Sequence, residues 1–515
     1  MPARIKIDGA VARLTGIHAP AAFLRECLSW LHPGRFFNRA FRDGRWDGKV
    51  CLADGNTFPA GFAPRVRRYL KRQGVSVAIS SRDSAPVPDD DLDENYLAGI
   101  KLRDYQLAAV RAMLSRPRGA LKEPTGSGKT AMIAAAARIF WEQMGWRSLI
   151  IVPRKGLAGQ TRAALQKLYS GDVKVGIAGD GHRKGGPIVV ATAQTMVHFK
   201  DRVVTKKKRK HKIEGDPWLR ELLEQTDVLF LDECHRTKSD QWQAIASACP
   251  AARRYGLSGT PLREVEFNDI KLEGQTGAII HETKAEELID RKLAARPKIA
   301  MVMASETSEP IAKIPVVSRD GKTSMRDPKY RAAYDAAIVD SDRHNNAVLA
   351  CVQWLHRRKR RILVLCRLKK HFARLAEGIQ DLGIEVACLW GNTHTAERDE
   401  AKQMFADREI NVILATTIFD EGEDVRGIDA IVLAEGVSTN TSALQRIGRG
   451  MRPDSEDVWV VDFVPLGSSV LTEHAARRAD IYEGEGYEVE VVESWPKRLD
   501  ASRPPKDLLP FASWT

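Results

Sequence analysis

The chain has 515 residues, 43% of them hydrophobic and 29% charged, with a formal net charge of +13, so a polyanionic partner such as nucleic acid is favoured. Seven cysteines without a C-x-x-C pair exclude a zinc ribbon or a disulfide framework. No apolar run reaches the ~20 residues of a membrane span, and the start MPARIKIDGAVARL has no hydrophobic signal core, so a cytoplasmic setting in a bacterial cell or phage-infected host is expected.

Residues 1–80 read as a small α+β domain, with a helix over 21–30, a strand over 49–52 and a basic helix over 64–73. Arg35, Arg39, Arg42 and Arg45 interleave with Phe36, Phe37, Phe41 and Trp46. Basic and aromatic side chains together can hold phosphates and stack on exposed bases. The plainer alternative makes the aromatics this domain's own core. Trp46 is a candidate nucleic-acid contact. Residues 81–95, acidic with two prolines and no apolar period, read as a linker.

Residues 96–305 alternate strand and helix patterns, as a parallel doubly wound sheet would. EPTGSGKT at 123–130 follows a short apolar stretch and precedes an alanine-rich helix. Thr125, Gly126, Ser127 and Gly128 form a tight loop whose N–H groups can face a phosphate at the helix N-terminus. Lys129 can reach the β- and γ-phosphates, and the Thr130 hydroxyl can ligate Mg²⁺. Glu123 replaces the first glycine of the standard pattern.

LDECH at 231–235 ends a buried-type strand, placing Asp232 and Glu233 where open α/β sheets bind ligands. Asp232 suits Mg²⁺, and Glu233 suits deprotonation of an attacking water. GLSGTP follows at 256–261. The basic run over 205–212 is expected to be a surface loop, with Lys207, Lys208 and Arg209 as backbone contacts; a solvated loop is the bland alternative.

Residues 306–330 read as a polar connection, 331–490 as a second α/β domain, and 491–515 as a proline-bearing tail. QRIGRGMR at 445–452 holds Gln445, Arg446, Arg449 and Arg452. Arg449 and Arg452 share a helical face and suit charge building on a γ-phosphate. An ATP site drawing on segments this distant is expected to need both α/β domains, as in a nucleic-acid motor.

Together these motifs resemble superfamily 2 helicases and translocases over about 102–487. The resemblance implies two tandem RecA-like parallel-sheet motor domains behind the small α+β domain, with ATP and Mg²⁺ as cofactors. It implies adenine recognition by Arg103 and Gln106, and a place near the nucleotide for Gly422 and Asp424. It implies nucleic-acid contacts at Arg154, Thr192, Gln194, Arg367, Asn392 and Thr416. GRWDG at 44–48, Phe58-Pro59 and Gly61, with Leu288-Ile289-Asp290 further on, resemble phage UvsW-type and XPB-like DNA helicases. That subgroup implies duplex or branched DNA as partner, with fork or junction remodelling and recombination or repair proteins alongside. The DECH box also occurs in RNA helicases. An ATP-switch subunit of a defence or restriction complex is a third reading.

Overall fold

The structure is a computed structural model that describes residues 3–81, 85–179, 181–206, 209–262, 267–304, 314–317, 323–326, 330–391, 393–416, 425, 427–436, 447–448, 457–465 and 468–492. The chain divides into two compact units, Met1–Thr283 and Lys284–Thr515.

The first unit opens with a four-stranded sheet in the order Thr57–Pro59, Val11–Thr15, Ala3–Asp8, Val77–Ser81. Ala3–Asp8 alternates buried and exposed residues, which puts Ala3, Ile5 and Ile7 on the core face. Helix Ala63–Arg72 covers that face with Ala63, Val66 and Leu70 and leaves Arg67, Arg68, Lys71 and Arg72 exposed. The first helix spans Pro20–Cys27 only. The chain then turns into strand Ser29–Leu31, paired antiparallel with Lys49–Cys51.

The main sheet of this unit has eight strands. Its centre is five parallel strands in the order Ile188–Thr192, Ser148–Val152, Val228–Asp232, Arg253–Ser258, Arg118–Lys122. Strand Ile279–Glu282 adds in parallel outside Arg118–Lys122. Nearly every side chain of the central strands is buried, as a sheet covered on both faces requires.

The small domain is fastened to this sheet. The Arg118 guanidinium donates to the Gly9 carbonyl, and Arg65 pairs with Glu273 at 2.9 Å. A Cβ on Gly61 would sit 1.9 Å from the Glu273 carbonyl oxygen, so glycine is the residue that permits this approach.

The second unit holds seven parallel strands: Ala387–Leu389, Val412–Ala415, Ile362–Leu365, Ala430–Leu433, Asp457–Val464, Arg296–Met303, Glu488–Val492. The fold class is therefore α/β, with two parallel sheets behind an α+β domain.

Four expectations change. The boundary at 305 moves back to Thr283, because Arg296–Met303 pairs between Asp457–Val464 and Glu488–Val492. Within the basic run over 205–212, the described residues lie on two antiparallel strands, Arg202–Lys206 paired with Arg209–Ile213, where a loop was expected. The connection over 306–330 includes a short antiparallel pair, Ile314–Val317 with Thr323–Arg326.

Where a linker was expected over 81–95, residues 85–95 instead form a strap on the main domain. Val87 and Leu92 are buried in it. The Val87 N–H donates to Leu114 O at 3.0 Å, Arg111 Nε to Asp89 Oδ2 at 2.8 Å, and buried Arg253 to the Ala85 carbonyl.

Candidate nucleotide site

The phosphate loop lies between two buried supports. Strand Arg118–Lys122 delivers the chain to Glu123, and the Glu123 N–H donates to Ser258 O at 2.8 Å. Gly126 and Gly128 take φ of 87° and 86°, a region that favours glycine. Helix Lys129–Met144 then starts with Gly128 as its N-cap. Its run of alanines packs tightly against the sheet, which fixes the helix end carrying Lys129 and Thr130.

Helix Asp104–Ser115 clamps the loop from the other side. The Ser127 carbonyl accepts from Gln106 Nε2 at 2.8 Å and from the Tyr105 hydroxyl at 3.0 Å. Gln106 Oε1 accepts from the Arg103 N–H at 2.9 Å. Both ends of the Gln106 amide are thus engaged with the protein, so here Gln106 braces the phosphate loop. Its Nε2 would lie 2.3 Å from a Cβ on Gly128, a second reason for glycine there.

Lys129 Nζ lies 3.3 Å from Glu123 O and 3.5 Å from Glu233 Oε1. Burial works against its charge, but Glu233, Asp232 and Glu123 together hold its pKa above the ordinary lysine value. Asp232 ends strand Val228–Asp232 and accepts the Glu233 N–H at 3.1 Å. Burial, then repulsion from Glu233, pushes Asp232 up to about 7 against the pull of Lys129. Glu233 goes the other way: burial would raise it, but Lys129 and His235 hold it below the usual carboxylate range. The result is one firmly ionised carboxylate beside a protonated lysine.

The third motif joins the same cluster through His235. His235 Nδ1 lies 2.9 Å from Ser258 Oγ and 3.4 Å from Glu233 Oε2. The Thr260 N–H donates to Ser258 Oγ at 3.2 Å. Ser127 Oγ and Thr260 Oγ1 are buried with no partner among the described residues, as groups awaiting a ligand would be.

Glu123 is wholly buried, and its Oε1 lies 2.7 Å from His281 Nδ1. The residue that breaks the standard glycine pattern therefore reaches the last strand of the unit. A pair 158 positions apart in sequence left no local signal.

The structure separates the nucleic-acid candidates. Thr192 is buried and caps its own turn, accepting the Thr195 N–H at 3.2 Å and donating to Thr195 Oγ1, so it is committed inside the fold. Thr416 is also buried after its strand. Gln194 and Arg367 are exposed just beyond strands Ile188–Thr192 and Ile362–Leu365, and Arg154 is half-buried beyond Ser148–Val152. Trp46 donates its indole N–H to Lys49 O at 2.7 Å and is half-buried, so its ring braces a loop. Arg209 lies on strand Arg209–Ile213. Lys207, Lys208, Asn392, Gly422, Asp424, Gln445, Arg449 and Arg452 lie outside the described residues.

Comparison with known proteins fits this geometry. The type III restriction enzyme res subunit family matches residues 99–263, and the helicase conserved C-terminal domain matches residues 344–454. The ATP-dependent DNA helicase UvsW of Enterobacteria phage T4 is 25% identical, over 83% of this chain and 83% of its own. The DNA 3'-5' translocase XPB2 of Sulfurisphaera tokodaii is 27% identical, over 78% of this chain and 89% of its own. Among solved structures, a Dbp5 of Saccharomyces cerevisiae bound to RNA and ADP BeF3 shares the fold at TM-score 0.51 and 15% identity, over 76% of this chain and 90% of that one.

Fold and site thus define an ATP-hydrolysing helicase with two RecA-like parallel sheets. The chain carries both of these family domains and is similar to UvsW- and XPB-like helicases of superfamily 2. No helix among the described residues is long and apolar enough to cross a membrane.

Proposed function

We propose that this helicase is an ATP-driven motor on duplex or branched DNA, remodelling forks or junctions in recombination or repair. The observation that carries the reading is the Lys129–Glu233–His235–Ser258 chain, which ties the phosphate loop to the acid pair and the third motif. The names of the relatives favour DNA: UvsW is a DNA helicase and XPB2 a DNA translocase. The exposed basic face of helix Ala63–Arg72 supplies a phosphate-binding surface in the small domain.

Each residue then takes a role. Backbone N–H groups from Thr125 to Gly128 cradle the phosphates, and Lys129 neutralises the β- and γ-phosphates. Ionised Glu233 accepts the proton of the attacking water. Gln445, Arg449 and Arg452 stabilise charge on the transferring phosphoryl group. Gly422 and Asp424 belong to the nucleotide side, and Arg154, Gln194, Arg367, Asn392 and the basic strand pair to the DNA side.

Mg²⁺ fits the donor set. Thr130 and Asp232 offer oxygen alone, the donor type that Mg²⁺ takes when it is shared with phosphates. Bound there, Mg²⁺ would offset charge on the phosphates.

Steady-state ATPase with no nucleic acid, single-stranded DNA, duplex DNA, a four-way junction and RNA tests the proposal. Strongest stimulation by duplex or junction is expected. Stimulation by RNA alone would replace DNA with RNA as substrate. No stimulation by any of them would favour the ATP-switch subunit.

A further inference from the structure

The loop from His32 to Gly48 closes the Ser29–Leu31/Lys49–Cys51 ladder, and it is internally built. The His32 N–H donates to Gly48 O at 2.8 Å. Asn38 Oδ1 caps the turn Arg39–Arg42 by accepting the Ala40 N–H at 2.9 Å. Phe41 sits edge-on to Phe36 at 5.4 Å and to Trp46 at 6.3 Å, and the Arg35 guanidinium lies 4.3 Å from the Phe36 ring centre. Gly48 has φ +78°, and a Cβ there would strike Arg35 and Phe41 at 2.8 Å. The loop is thus held in one shape by its own aromatic side chains.

Phe37 is left out of that brace. It is 89% exposed, more than any other large hydrophobic residue recorded as exposed. Arg39, Arg42 and Arg45 are exposed in the same loop, Arg39 and Arg45 each paired with Asp43, at 3.4 Å and 2.6 Å. From Arg35 to Lys49 there are five basic and two acidic side chains, a net charge of +3.

We infer that this loop is a base-capture arm, in which Phe37 stacks on an unpaired base while the neighbouring arginines hold the flanking phosphates. The inference rests on the nucleic-acid reading above and sharpens it. An exposed phenyl ring in a loop of net positive charge matches a ligand with a flat apolar face and an anionic backbone. Bases inside a duplex are already stacked on each other, so the ring requires a base at a junction, an end or a single strand. A fixed loop presents that ring with little ordering cost on binding. Its exposure also means that removing it disturbs no packing.

The test is binding of the full chain to a forked DNA with 2-aminopurine at the junction and to a blunt duplex of equal length, read by fluorescence and anisotropy. Phe37→Ala is expected to lose the 2-aminopurine response and to weaken fork binding roughly 5- to 150-fold, the range of one base–aromatic stack. Blunt-duplex affinity should change less than twofold, and Phe37→Trp should restore the fork preference. Equal fork binding by wild type and Phe37→Ala overturns the arm alone. Equal weakening on both DNAs also overturns it, because the ring would then act without an unpaired base. If wild type binds neither DNA, the DNA reading falls together with the arm. A Phe37-dependent dimer in the absence of DNA would assign the ring to a second copy of the chain instead.

Discussion

The two parallel sheets share an architecture and differ in what stands at their strand ends. In the first unit the ends of Arg118–Lys122, Val228–Asp232 and Arg253–Ser258 lead into Glu123, Asp232-Glu233 and Ser258, all drawn into one charged cluster with Lys129. In the second unit the ends of Ile362–Leu365, Val412–Ala415 and Ala430–Leu433 lead into Cys366, Thr416 and Ala434, all buried. Its buried polar groups work elsewhere. Asp462 accepts from Arg478 Nε at 2.7 Å and from the Tyr482 hydroxyl at 2.9 Å, pinning helix Ser469–Gly484 to the sheet. His344 donates Nε2–H to Ala434 O at 2.7 Å, pinning helix Asp342–Arg357. Among the described residues, these strand ends gather charged groups in the first unit and buried, fastened ones in the second.

The comparison breaks most visibly if the fastening is removed. Asp462→Ala leaves the Arg478 charge buried without its carboxylate and should cost about 3–5 kcal/mol in denaturant unfolding. Asp462→Leu with Arg478→Met should recover most of that loss. Next, Lys129→Ala should lower nucleic-acid-stimulated kcat on the order of 10²–10³-fold while leaving second-unit unfolding unchanged. Wild-type turnover in that variant would remove Lys129 from the phosphate role.

A pH titration sharpens the contrast further. Burial lowers His344 to about 4, and burial with the neighbouring His344 and Arg374 lowers His371 to about 3, both from the ordinary 6.5. The unfolded chain therefore takes up protons first as pH falls. Stability from these residues is fully present above pH 6.5 and is lost progressively as pH falls through the window down to about 4 and then 3. His371→Phe should flatten the stability profile in that window. The smallest effect belongs to Arg65→Ala, because the Arg65–Glu273 pair is partly exposed. A loss under about 1 kcal/mol is expected, seen as a minor drop in Tm.

Much of the site was readable because its signals are local. The glycines at 126 and 128, the acid pair after four apolar residues and the alanine helix each declare themselves within ten positions. Long-range pairings do not. Glu123 looked like a defect in a glycine pattern until His281 appeared beside it. Gly61 was a family resemblance without a cause until Glu273 was seen against it. Trp46 and Phe37 carry similar hydrophobicity in sequence; only packing shows that one braces the loop and the other faces water. Strand Arg296–Met303 could be read as a strand, but nothing local says which sheet it joins.

The strap over 85–92 has a practical corollary for dissecting the protein. Arg253 sits fully buried, stacked near Phe140 and Trp146, with the carbonyls of Ala85, Met113 and Leu114 around its guanidinium. A fragment begun at residue 96 would strip one wall from that cation and uncover the apolar seat of Val87 and Leu92. An excised motor should therefore begin before Ala85.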